Sequence, residues 1–286
     1  MSIFYILLIF QLYFNIVFGI TDTKKQVANN HLKRHHRTTM DNTLREKTIK
    51  NAKNKNERLV LSMRDFIINN CATMIWCIVA LEAVLAVLLG LKLKKDRNLM
   101  TLCMLLIDIG LLLDAVFIVL GAVVPGGLPE AVSRIRFISH GVLIPLMFPI
   151  CGYGLKLKGK AIKAVWVFTA IICILGFAEG LATHLETRVI GDIIRHASAD
   201  TTPAWADAIS SILSFGTVIP LMIVGIVAWI KQKTPHLFLS GFLMFAFSAL
   251  GPATGNSDLI FFISMIGEVL MVAFFYFYSL VYKTDK

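Results

Sequence analysis

The chain has 286 residues, of which 57% are hydrophobic and only 16% charged, and it carries a formal charge of +10. A soluble domain has roughly 25% charged residues, so this chain has too few to cover a water-facing surface. A soluble enzyme, a nucleic-acid binder and a disordered protein are poor readings, and a mean hydropathy of +0.73 describes an integral membrane protein.

In chain order, Ile3–Ile20 is an uncharged apolar run that resembles a signal-peptide core, with Val17-Phe-Gly19 as a small-residue cleavage site but no basic segment before it. Residues 21–62 follow with eleven Lys or Arg against four acids. A run such as His31-Leu-Lys-Arg-His-His-Arg37 has little to bury, so 21–62 reads as a basic, disordered tail. A solvated tail without a partner is the simpler reading, and contact with nucleic acid or anionic lipid is the alternative. The cluster His31, His35 and His36 lacks the cysteines and regular spacing of a metal site. Residues 1–62 are either a signal-like segment plus tail or an upstream extension before a start at Met63. In both cases the fold begins at residue 63.

Seven apolar segments then follow: Cys71–Leu91, Leu99–Val124, Phe137–Leu155, Ala164–Thr183, Ala208–Ile230, Leu237–Leu250 and Leu259–Tyr282. None alternates with period two, and in lipid a helix satisfies its own backbone, so helices are predicted over barrel strands. The sixth segment, 14 residues ending in Gly251-Pro-Ala-Thr-Gly-Asn256, reads as a broken or re-entrant element that lines a cavity. Lys92, Lys94, Lys95, Arg97, Lys156, Lys158, Lys160, Lys163, Lys231, Lys233, Lys283 and Lys286 fall on one side of these spans. Arg64, Arg134, Arg136, Arg188 and Arg195 fall on the other, among several acids. The positive-inside rule makes the lysine side cytoplasmic. The expectation is an all-α, polytopic bundle of seven transmembrane helices in the cell (plasma) membrane, with the N-terminus outside and the C-terminus cytoplasmic. Retaining Ile3–Ile20 as an eighth span would invert that pattern.

The longest outer loop, 184–207, places His184, Arg188, Asp192 and His196 every four residues with Leu185, Val189, Ile190 and Ile193 between them. This spacing predicts an amphipathic interfacial helix at about 184–197. Cys71, Cys77, Cys103, Cys151 and Cys173 all fall in spans and read as small buried thiols.

An ionisable side chain inside a bilayer is a site hypothesis by default. Here they are Glu82, Asp108, Asp114, His140, Glu179 and Glu268. Helix rise puts His140 and Glu179 about 5–6 Å below the outer edge and Glu82, Asp114 and Glu268 about 14–17 Å down, with Asp108 deeper. Together they would line a path from the outer face toward the bilayer centre. Arg136 and His140, four apart, share a face of the third span, and Asp114 on the preceding antiparallel helix can pair with either. Ser210, Ser214 and Thr217 form a stripe on the fifth span. Each of these also has a structural reading as interhelical hydrogen bonding, but six ionisable groups with a broken span favour a polar cavity.

Arg134-Ile-Arg-Phe-Ile-Ser-His140 with Pro145, and Gly255-Asn256 with Gly267-Glu268, resemble an uncharacterised group of bacterial polytopic membrane proteins over roughly residues 70–282. In that group the Gly-Asn and Gly-Glu pairs lie closer together. The resemblance implies a shared fold and marks His140 and Glu268, but implies no reaction. Better known seven-helix families fit poorly. The last span has neither a Schiff-base lysine, nor Asn-Pro-x-x-Tyr, nor a His-x-x-x-His pair, and the third span lacks Asp-Arg-Tyr. Retinal proteins, G-protein-coupled receptors and the intramembrane zinc hydrolases are thereby disfavoured.

Three readings of function remain. The first is binding or transport of a small or amphiphilic ligand, or of protons, along Glu82, Asp108, Asp114, Arg136, His140, Glu179, Glu268 and Asn256. The second is a metal-dependent enzyme acting on lipid, with His140 and His184 as ligands beside Glu179, Asp114 or Glu268. The third is a structural subunit of a membrane complex. The sequence specifies no cofactor, although His140 and His184 would also suit a haem. The expected partners are the bilayer and an amphiphile, not nucleic acid.

Overall fold

The computed structural model describes residues 65, 68–253 and 257–282. Apart from Asp65 these belong to one compact unit, Phe66–Lys286. The signal-like segment, the basic tail and Asn256 lie outside the described residues.

Among the described residues this unit has eight α-helical segments and one hairpin. They are α1 Cys71–Asp96, α2 Leu99–Leu120, α3 Glu130–Leu143, α4 Met147–Gly154 and α5 Lys160–Ala182, then strands β1 Leu185–Ile190 and β2 Ile193–Ser198. After them come α6 Ala204–Gln232, α7 His236–Ala253 and α8 Ser257–Val281. Among the described residues six helices are long and apolar enough to cross a membrane, counting α3 and α4 as one bent helix over Glu130–Gly154. This is an integral membrane protein by helix length and composition.

Local chemistry sets the helix limits. Asn98 caps α2 by accepting the Met100 N–H at 2.9 Å. Arg97 ends α1 in the left-handed conformation and donates its N–H to the Leu93 carbonyl. A turn of 3-10 helix, Ile144–Leu146, joins α3 to α4. Pro145 lies in that turn; it has no N–H to give to the Gly141 carbonyl, and the helix bends there.

The helices close into a ring in which α1 meets α2, α2 meets α3, α3 meets α5, α5 meets α6, α6 meets α7, α7 meets α8, and α8 returns to α1. The buried residues of α2 run along its whole length, from Met100 to Val119. The lipid-facing helices show the reverse of a water-soluble pattern. On α5 the buried residues are Thr169, Gly176, Glu179 and Gly180, whereas Val167, Phe168, Ile171, Ile174 and Phe177 are exposed. Exposing that apolar face is favourable only in lipid, and small residues on the inner face let backbones approach. Gly141 of α3 and Gly176 of α5 touch backbone to backbone, and the Cys173 thiol donates to the Val142 carbonyl at 3.1 Å.

The two ends of the bundle differ. At the lysine-rich end the Gln232 side chain donates to the Gly154 carbonyl at 2.8 Å and accepts from the Tyr278 hydroxyl at 2.9 Å. The Tyr282 hydroxyl reaches the Tyr153 carbonyl at 3.2 Å, so the last turns of α4, α6 and α8 are bound together. Leu89, Met100, Met104, Ile107, Met147, Ile150, Leu221, Met271 and Phe275 fill the adjoining core.

The opposite end corrects one expectation. Residues 184–197 do not form an amphipathic helix; they form an antiparallel hairpin with Leu185 opposite Ser198 and Ile190 opposite Ile193. The turn is Gly191-Asp192, with Gly191 at φ 59° and Asp192 outside the left-handed region, as a two-residue type II′ turn requires. Thr187, Val189, Ile190, Ile193 and Ile194 are β-branched and favour a pleated strand over a helix. Ile190 and Ile193 are buried against Cys71, Ile75, Ile118 and Phe262, and the Ile194 N–H donates to the Gly121 carbonyl at 3.2 Å. The hairpin is thus anchored into the end of the bundle.

Other expectations also shift. The third span starts at Glu130, and α6 runs for 29 residues. The sixth apolar segment forms α7, which runs to Ala253, and its apolar stretch His236–Ala249 is shorter than those of the six long helices. All five cysteines are free thiols, but Cys77 is exposed and Cys173 half-buried rather than both lying in the core.

The Gly141–Gly176 contact yields a direct test. Gly176→Ala puts a Cβ into the Gly141 carbonyl and should destabilise the protein by about 1–3 kcal/mol in detergent unfolding. Gly90→Ala, where a Cβ meets nothing within 4 Å, should leave stability equal or raise it by up to about 1 kcal/mol.

Candidate functional site

Near the hairpin end, α2 and α3 present their charged residues to each other. Asp114 lies six residues before the end of α2, and Arg136 lies two turns into α3, so antiparallel packing brings them together. Arg136 Nε donates to Asp114 Oδ1 at 2.6 Å and Nη2 to Oδ2 at 3.4 Å, both side chains being buried. The third nitrogen, Nη1, donates to the His196 carbonyl of β2 at 3.3 Å. One turn earlier on α3, Ser133 Oγ and His196 Nδ1 share a hydrogen bond at 3.0 Å. His196 is held to α3 through both its ring and its backbone. The Arg136 guanidinium also lies 5.6 Å from the centre of the Phe137 ring.

Arg134, on another face of α3, serves structure. Its Nη1 donates to the Leu181 and Thr183 carbonyls, each at 2.9 Å, and satisfies acceptors at the end of α5. Its Nη2 pairs with Glu130 at 2.6 Å. The Glu179 carboxylate, just before this helix end, accepts from the Thr183 hydroxyl at 3.2 Å and from Ser210 of α6.

Between these elements is a cavity of about 500 Å³, within the range of small-molecule sites. Asp114, Arg136, His140, Glu179 and Glu268 line it, together with Arg195 of β2. Hydroxyls come from Ser210, Ser211, Ser214 and Thr217 of α6, Ser248 of α7 and Ser264 of α8, and apolar walls from Phe137, Phe215, Phe245, Phe261, Met244 and Met271. Ser210, Ser211, Ser214 and Phe215 line the cavity and are also exposed, Phe215 to 55%. These four residues lie 6–11 positions after Ala204, about 9–17 Å along α6. The cavity therefore opens sideways along α6, within the apolar belt. Pro220, inside α6, removes the N–H that the Gly216 carbonyl would accept.

Five of the eight residues on the expected path thus meet at one cavity. Glu82 and Asp108 do not line it; they are fully buried behind it, and neither carboxyl oxygen of either residue has a hydrogen-bond partner among the described residues. Asn256 lies outside the described residues. His184 is not brought to His140: it starts the hairpin, with Nδ1 3.3 Å from Thr201 Oγ1, and is not part of the cavity wall. Among the described residues no group of three or more His, Cys, Asp or Glu is placed to hold a metal. The site residues that spacing alone missed are Arg195, His196, Ser133, Ser248 and Ser264. Arg195 and His196 came with the hairpin and would have been found by reading Gly191-Asp192 as a turn.

The chain matches no known protein family and no curated protein.

The buried fork makes a quantitative prediction. Arg136→Met or Asp114→Leu alone leaves one partner uncompensated and should cost about 3–5 kcal/mol, whereas the double variant should regain most of it. Unfolding in mixed micelles, arranged as a double-mutant cycle, measures both.

Proposed function

We propose that this is a seven-span plasma-membrane protein that binds, and passes across part of the bilayer, a small amphiphilic ligand held in the cavity between α3, α6, α7 and α8. The supporting observation is a cavity of about 500 Å³ that combines buried charge with an opening through exposed residues of α6. An amphiphile partitions into the bilayer with its polar end near the interface, so a lateral opening admits it without a passage through water. The hydroxyls of Ser210, Ser214 and Thr217 offer polar contacts along one wall, and Phe215 and Phe245 offer apolar ones. His140 of α3 lines the same cavity and offers an imidazole to the polar end of a ligand.

In this reading α7 also crosses the bilayer, as the sixth of seven spans, and the lysine-rich end faces the cytoplasm, with the hairpin outside. Asp192, exposed at the hairpin turn, is the natural reporter of sidedness. Asp192→Cys should react with a membrane-impermeant maleimide on intact cells, and Lys158→Cys only after permeabilisation. The opposite pattern would invert the topology.

An uncharged long-chain alkyl diazirine tests ligand binding. Photolabelling should concentrate on residues 210–218 of α6 and 244–248 of α7. Ser214→Trp, which fills the opening, should suppress that labelling about tenfold while leaving the protein folded. Even labelling of every lipid-facing helix, unchanged by Ser214→Trp, would defeat the proposal.

A further inference from the structure

We infer that the ligand class of this cavity is a lipophilic organic cation, bound in exchange for protons carried on Glu268 and the carboxyls behind it; this rests on the amphiphile-binding reading above. The bundle interior holds Glu82, Asp108, Asp114, Glu179 and Glu268 against the guanidinium groups of Arg136 and Arg195. These charges are unequally matched. Asp114 is taken by Arg136. Glu179 accepts from Thr183 and Ser210. Arg195 lies over the Phe261 ring at 4.0 Å, a neutral group, so its charge stays in the balance and five carboxyls stand against two guanidinium groups among the described residues. Glu268 lines the cavity, is only 8% exposed, and has no hydrogen-bond partner among the described residues.

Behind Glu268 the acid excess grows. Glu82 and Asp108 are fully buried with all four carboxyl oxygens unpartnered among the described residues. An uncompensated charge at such depth costs several kcal/mol. The pocket stays neutral only if a proton sits on the carboxyl or a cation lies beside it. A proton and a bound cation are therefore alternatives for Glu268. An anionic amphiphile would add to the excess, and a neutral one would leave it unchanged. Phe215 and Phe245 also line the cavity, and aromatic rings attract a cation.

The groups around Glu268 on every packed element enter this balance. Among the described residues they are Glu82 of α1, Asp108 and Asp114 of α2, Arg136 and His140 of α3, Glu179 of α5 and Arg195 of β2. Among the described residues, the cavity walls of α6 and α7 bring hydroxyl, apolar and aromatic groups. The exchange balances simply. One monovalent cation enters, one proton leaves the Glu268 carboxyl for water at the hairpin face, and the charge of the cavity is unchanged. The packed core at the lysine-rich end, from Met100 and Met104 to Phe275, closes the other direction in this conformation.

Tetraphenylphosphonium, a permanent cation with no proton of its own, is the probe. With the full chain in nanodiscs of zwitterionic lipid, its affinity should rise about tenfold per pH unit over the range in which one proton is displaced. In weakly buffered medium about one proton should appear per cation bound. Glu268→Gln should lose at least about tenfold in affinity together with the pH dependence, and Glu268→Asp should keep both in part. Asp192→Asn at the exposed turn should change neither. Thermal unfolding in detergent identifies folded variants. Binding that ignores pH, releases no proton or survives intact in Glu268→Gln overturns the inference. The uncharged diazirine, run in parallel, separates the two levels. If it labels the cavity while tetraphenylphosphonium fails, the amphiphile reading stands and the cation inference falls. If neither probe binds, both fall.

Discussion

In a bilayer every buried polar group must find its partner inside the protein, because no water waits in the hydrocarbon to replace it. The Asp114–Arg136 fork is where this chain meets that demand most completely. Two oxygens and two nitrogens are matched at 2.6 and 3.4 Å, and the third nitrogen is used by the His196 carbonyl. This single guanidinium fixes α2, α3 and β2 relative to one another. It also places His140, one turn further along α3, at the edge of the space that the fork leaves open.

The rest of the hairpin end follows from that anchoring. Once β2 is tied to α3, Ile190 and Ile193 reach the core between α1, α2 and α8, and Ile194 meets Gly121 at the end of α2. Gly191 fits its turn closely against the Ile68 backbone, where no Cβ has room. The hairpin is a packed cap rather than a loose loop. The opposite end is closed by side-chain and aromatic packing among α4, α6 and α8. This asymmetry explains why the cavity sits near the hairpin and why its opening runs along α6.

The distribution of unmet charge gives the interior its chemical character. Paired groups such as Asp114, and hydrogen-bonded ones such as Glu179, are accounted for by the fold alone. Glu268, Glu82 and Asp108 are not, since no hydrogen-bond donor among the described residues reaches them. Such groups persist where a protein handles charge that comes and goes. Arg134 makes the contrast clear: it is equally charged and close by, yet it is fully used by the carbonyls that end α5 and by Glu130.

Much of this was legible in the residues themselves. The long apolar runs and the one-sided lysines specify a helical membrane protein, because the energetics of burying polar groups in lipid act on every residue locally. Antiparallel neighbours made the pairing of Asp114 with the Arg136–His140 face readable, and the i, i+4, i+7 spacing of Ser210, Ser214 and Thr217 marked a stripe that the structure brings to the cavity lining. The hairpin was not legible from periodicity, since a spacing of four between His184, Arg188, Asp192 and His196 suits both a helix and an alternating strand. There the β-branched residues and the Gly191-Asp192 turn carried the decisive local signal. Only the tertiary structure separated Glu268, which faces the cavity, from Glu82 and Asp108, which lie behind it. Depth along a helix follows from counting residues, but the direction in which a side chain points depends on how seven neighbours pack around it.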